Sequence, residues 1–179
     1  DHYVVNGSKT YITNGVRADF VVLAVKTDPS RGHKGLSMLV VERGTPGFSV
    51  GRKLQKVGWR ASDTAELFFE DCRVPAENLL GEEGQGFIQL MQQLPQERLI
   101  IGAAALGAVE AAYEHTLTYV KERYAFGKPL FALQNTRFEL ADVATAVEVM
   151  RCFVEDAIAK HMRGELDVTG AAMIKLWCS

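Results

Sequence analysis

Hydrophobic positions recur at β spacing in the first half of the chain and at helical spacing in the second. Tyr3-Val4-Val5, then Asn6-Gly7, then residues 9–13 reads as a hairpin, because Asn-Gly accepts the positive φ angles of a tight turn. Asn14-Gly15 marks a second turn. Residues 20–25, 36–41 and 66–69 are further predicted strands, with Gly, Pro, Asp and Ser between them and a polar loop at 28–35. Two glycines and two acids, Gly81-Glu82-Glu83-Gly84, separate this region from helical sequence. A short helix is predicted over 87–93, where Pro95 interrupts. A second runs to about 123, with Leu99, Leu106, Val109, Tyr113, Leu117 and Val120 near one face. After a Gly127/Pro129 break, residues 133–162 carry a stripe of Leu140, Ala144, Val147, Val154 and Ile158. Gly164 closes that helix, and Asp167 is placed to cap another. The expected class is α+β: a barrel- or sandwich-like portion over 1–83, then part of an antiparallel helical bundle over 84–179.

Composition narrows this picture a little. A chain of 179 residues with 47% hydrophobic and 23% charged residues is ordinary globular material, and its net charge of -2 gives no reason to expect nucleic acid or an anionic membrane surface. Three widely spaced cysteines favour neither a disulfide scaffold nor zinc. The histidines lack metal-ligand spacing, and no stretch is apolar enough to span a bilayer. The chain opens at Asp1 and stops inside a helical pattern, so it reads as a piece of something longer.

One carboxylate stands out. Glu97 shares a helical face with Ile101, Ala104 and Ala108. Such a carboxylate either pairs with a cation, as with neighbouring Arg98, or sits in a dry pocket where it becomes a stronger base. An acid in the first turn after Pro95 is also explained by the helix dipole. A second cluster is Arg123-Tyr124-Ala125-Phe126-Gly127-Lys128, with Gln134 beyond it. Its guanidinium suits a phosphate, yet a basic helix end with a glycine cap explains the same residues. Gly81 to Gly86 carries acids where a phosphate loop needs Lys-Ser/Thr, and reads as a lead-in to the helix. Tyr11-Ile12-Thr13-Asn14 ends a strand at a turn, where a ring and a hydroxyl can meet a ligand. Arg60 to Thr64 reads as a polar loop with an Asx-type turn at Asp63.

Taken with Gly7 to Gly15, Gly58 to Thr64, Phe69 to Pro75 and Gly84 to Phe87, these clusters resemble the acyl-CoA dehydrogenase family over essentially the whole chain. The resemblance implies an FAD enzyme. Tyr11 takes the place of an aromatic, commonly Trp, lying against the flavin ring, with Thr13 near the reactive nitrogen. Arg123, Phe126 and Gln134 hold the pyrophosphate and adenosine part of FAD from a neighbouring subunit, which implies a homo-oligomer, typically a tetramer. Pro95-Gln96-Glu97-Arg98-Leu99 looks like the long-chain and isovaleryl branch, which carries its catalytic base in this helix.

The implied reaction removes the α proton of an acyl-CoA thioester at Glu97 while hydride leaves the β carbon for the flavin. Electrons then pass to electron-transferring flavoprotein. Arg98 and Gly102 are expected against the substrate, Gly102 leaving room for the acyl chain. A bacterial cytoplasm or a mitochondrial matrix fits that chemistry. An acyl-CoA oxidase or flavin monooxygenase of the same fold, and a non-catalytic oligomerisation module, are the alternatives.

Overall fold

The computed structural model describes residues 1–179, which form two compact units, Asp1–Leu90 and Met91–Ser179. The first holds two antiparallel sheets. Strands β1 (His2–Thr13), β4 (Phe48–Lys53) and β5 (Thr64–Pro75) form a three-stranded sheet in the order β1-β5-β4, and β2 (Phe20–Lys26) pairs with β3 (Leu36–Glu42). Val5, Leu23, Leu39, Val41, Leu67, Phe69, Cys72 and Val74 meet in one core drawn from both sheets. This is the expected sandwich-like arrangement. Each fully buried Leu or Val there contributes about 1.5–3 kcal/mol.

The central strand explains why the sequence was hard to read here. Along β5 the buried residues are Ala65, Leu67 and Phe69, and then Cys72 and Val74. The alternation slips by one residue at Glu70-Asp71, where two residues of β5 lie opposite Asn6 between the pairs Val5↔Cys72 and Gly7↔Phe69. A bulge absorbs the slip and puts the apolar side chains back in the core. The expected hairpin at Asn6-Gly7 is therefore corrected, since β1 continues through it. The Asn6 carboxamide accepts the N–H of Asp71 at 2.8 Å and donates to its carboxylate at 3.1 Å, and Asp71 takes the left-handed φ of 47°. Strand β4 was not foreseen. Gly51 breaks its apolar run because a Cβ there would strike the Phe68 ring, while Phe48 stacks on Phe69 at 4.9 Å.

The second unit is helical. Helix α1 (Gly86–Glu122) begins in the first unit and runs through the second, followed by α2 (Gln134–Met162) and α3 (Val168–Cys178). The expected break at Pro95 is also corrected: α1 is continuous, with Pro95 inside it. Proline removes only the hydrogen bond to the Met91 carbonyl, and Leu, Met, Gln, Glu and Arg on either side are strong helix formers. Leu99, Met150, Val154, Ala157, Ile174 and Cys178 form the core of this unit. In α2 the expected stripe holds for Leu140, Val147 and Val154, whereas Ile158 is exposed and Met150 and Ala157 face inward. Asp167 caps α3 as expected, accepting the N–H of Gly170 at 2.6 Å. No helix is long and apolar enough to cross a membrane.

Gly102 is buried, and a Cβ added to it would collide with Cγ2 of Ile174 in α3. The space beside it is occupied by that isoleucine. Gly102→Ala is expected to destabilise the protein by about 1–3 kcal/mol through overpacking, read as a fall in denaturation midpoint. Burial also raises the thiols of Cys72 and Cys178 above the ordinary cysteine value, so less thiolate is present at neutral pH. Both are expected to resist iodoacetamide in the native protein and to react once guanidinium unfolds it, as mass spectrometry would show.

Candidate functional site

Tyr11 lies on a second bulge. Between the pairs Lys9↔Leu67 and Ile12↔Ala65, Thr10 and Tyr11 oppose Glu66 alone, and on the other flank Gly51 and Arg52 oppose the same residue. Bulges on both neighbours at one level bend the sheet and re-aim side chains. Ile12 packs into the core, while Tyr11 takes φ 61° and turns its ring outward, 76% exposed. A bulky residue at positive φ is strained, at a cost of about 1–3 kcal/mol. Thr13, paired with Thr64, is exposed at the strand end. A cleft of about 610 Å³ between β1 and β2 is lined by neither Tyr11 nor Thr13.

Residues 123–134 make the second cluster. Strands β6 (Tyr124–Ala125) and β7 (Lys128–Pro129) form a two-residue hairpin with Phe126 and Gly127 at its tip, at φ 54° and 75°. Positive φ at both positions is the signature of a type I′ turn. The reading of Gly127 as a helix cap is thereby corrected, because α1 has already ended at Glu122. The turn holds Phe126 92% exposed between Arg123 and Lys128. At the start of α2, Leu133 provides no side-chain cap and the first turn contains no acid, so Gln134 sits among backbone donors open to an acceptor.

Glu97 lies about three turns inside α1. It makes no ion pair and no side-chain hydrogen bond, and neither does Arg98. Both bland explanations of this carboxylate, a dipole-favoured first-turn acid and a surface pair, are therefore absent. Glu97 is exposed in this chain rather than enclosed, and exposed Ile100 and Ile101 follow it on the helix.

Two family models match the chain, the acyl-CoA dehydrogenase middle domain over residues 1–72 and the acyl-CoA dehydrogenase C-terminal domain over residues 84–179. The chain belongs to the acyl-CoA dehydrogenase family. It is 47% identical to the mitochondrial long-chain specific acyl-CoA dehydrogenase of Mus musculus, over 99% of this chain and 42% of that protein. It is 46% identical to an acryloyl-CoA reductase (NADH) of Anaerotignum propionicum, over 98% of this chain and 45% of that protein. The crystal structure of an acyl-CoA dehydrogenase from Geobacillus kaustophilus superposes with a TM-score of 0.97 at 54% identity, covering 99% of this chain and 47% of that one. The chain thus spans less than half the length of these relatives.

Membership of the acyl-CoA dehydrogenase family implies FAD, and the two clusters are chemically suited to it. Exposed rings on strained backbone offer flat apolar faces, while Arg123, Lys128 and the uncapped start of α2 offer positive charge and free donors. Sequence reasoning missed one buried polar residue close to the Tyr11 corner. In place of the expected Asx-type turn, the Asp63 carboxylate is 2% exposed and accepts the N–H of Val16 at 2.8 Å. Its signal was a polar residue among the apolar alternation that begins at Ala65. Because the type I′ turn favours Asn over an aromatic at its first position, Phe126→Asn is expected to stabilise the protein by up to about 1 kcal/mol in thermal unfolding.

Proposed function

We propose that the full-length protein containing this chain is an FAD-dependent acyl-CoA dehydrogenase that forms an α,β-unsaturated thioester, with Glu97 as the catalytic base. The observation that carries this reading is a carboxylate free of any ion pair within continuous helix α1 of a chain that belongs to the acyl-CoA dehydrogenase family. The middle and C-terminal domains are taken to divide near residues 83 and 84.

Tyr11 presents its ring to the isoalloxazine and Thr13 its hydroxyl to the edge of that ring. Tyrosine in place of the commoner tryptophan keeps the stacking with less contact area. Arg123, Phe126 and Gln134 serve the pyrophosphate and adenosine portion of FAD belonging to a neighbouring subunit of a homo-oligomer. When bound, FAD supplies a hydride acceptor for the β carbon. Glu97 receives the α proton, which requires that substrate and surrounding protein exclude water from a side chain that is open in this chain. Arg98 lies beside it against the thioester substrate. Gly102 has a packing role, since Ile174 occupies its space. Electron-transferring flavoprotein is the proposed acceptor.

A reduction in the opposite direction is the second reading, favoured by the 46% identity to an acryloyl-CoA reductase. Assays of the full-length protein with an acyl-CoA and acceptor, and with an enoyl-CoA and NADH, separate the two. Peroxide formation without an acceptor protein would mark an oxidase, and absence of a bound flavin a non-catalytic module. Glu97→Gln is expected to retain the flavin's visible absorbance while lowering kcat about 10²–10⁴-fold. Turnover equal to the parent's would assign proton abstraction to another group.

A further inference from the structure

We propose that Asp63 is a positioning residue for the flavin-facing corner at Tyr11 and Thr13, acting through the turn that follows them; this rests on the reading that those two residues face the flavin. Three contacts converge on this one residue. Its carbonyl accepts the N–H of Asn14 at 3.0 Å, its Oδ2 accepts the N–H of Val16 at 2.8 Å, and its Oδ1 lies 3.5 Å from Nε of Arg17.

The turn needs such an anchor. Asn14 takes φ 60°, and only one residue pair beyond the Tyr11 bulge, Ile12↔Ala65, precedes the last β1 pair, Thr13↔Thr64. Gly15 fits beneath the turn because it lacks a Cβ, which would lie 3.1 Å from the Ile12 carbonyl oxygen and 3.2 Å from the Ala65 Cβ. Two left-handed residues, Tyr11 and Asn14, therefore flank a two-residue segment whose far end is tied to the sheet through Asp63. Arg43 holds the same turn from the other side, its guanidinium donating to the carbonyls of Ala18 and Val16.

The carboxylate itself is 2% exposed, and its Oδ1 accepts no hydrogen bond, its one cationic neighbour, Arg17, being 74% exposed. A buried carboxyl group with one oxygen unpartnered is costly, which fits a part that serves geometry rather than stability. Without it, the Val16 N–H has no acceptor, and the turn after Thr13 keeps only the Asn14 bond to the Asp63 carbonyl and the Arg43 contacts, so the end of β1 loosens. The ring of Tyr11 would then be aimed by the flanking strand pairs alone, with the support beyond Thr13 weakened.

The test uses the full-length protein carrying Asp63→Ala, Asp63→Asn or Arg17→Ala, each compared with the parent by amide hydrogen exchange in the flavin-free state, by the visible flavin spectrum and by steady-state kinetics. Asp63→Ala is expected to speed exchange of the Val16 amide, to shift the flavin band, and to lower kcat by about a hundredfold with KM nearly unchanged. Asp63→Asn, whose carbonyl oxygen still accepts from Val16, is expected to restore the spectrum and most of kcat. Arg17→Ala is expected to behave as the parent. Should Asp63→Ala fail to fold, Asp63→Ser, whose hydroxyl is too short to reach Val16, takes its place under the same criteria. A parental spectrum and kcat in the Ala or Ser variant, or an Asn variant as impaired as Ala, would overturn the proposal. A parent protein that binds no flavin would instead overturn the functional reading on which it rests.

Discussion

Strand β5 constrains everything else in the first unit. It is hydrogen-bonded on both edges, so any extra residue in a neighbour must be accommodated as a bulge rather than a slip of register. Two such accommodations face Glu66 from opposite sides, and a third lies at Asp71 within β5 itself. They keep the apolar side chains of three strands in a single core while bending the sheet. The bend turns Tyr11 out of the register that would have pressed its ring against the protein. Fold and candidate site thus share one cause, and the strain at Tyr11 is tolerated because the pairs on either side of it are fixed.

Much of this was legible in the sequence, and what was not has identifiable reasons. The strands β2 and β3 follow from largely apolar, valine-containing runs, and the cap at Asp167 from its position before an apolar helix. β5 was seen only in part, because a period-2 pattern that shifts phase at a bulge looks like two weak signals. Asn6-Gly7 read as a turn because that pair is chemically suited to one. In the fold Gly7 takes a positive φ of 143° within β1, and Asp71 in the paired strand β5 takes φ 47°. Pro95 read as a helix end, yet a proline costs one hydrogen bond, and packing of Leu99 against α2 and α3 outweighs that.

The site was legible in its members rather than in its arrangement. Tyr11, Phe126 and Glu97 are picked out by residue type and by likeness to a family. Sequence could not show that both rings stand on left-handed backbone, or that Glu97 lies deep in a helix without a partner. Nor could it show that Gly102 belongs to a helix crossing. Small residues near a candidate base invite a substrate explanation, and the position of Ile174 supplies a packing one.

The clasp between Asn6 and Asp71 also bears on chemical ageing. An asparagine followed by glycine is prone to lose ammonia through attack of the next backbone nitrogen on the carboxamide. That attack requires the side chain to fold back toward its own main chain. Here the amide group is held across to a neighbouring strand by two hydrogen bonds, one accepted and one donated. The pairing that keeps the sheet in phase therefore also shields a vulnerable dipeptide, and loosening of this strand edge would expose it to deamidation.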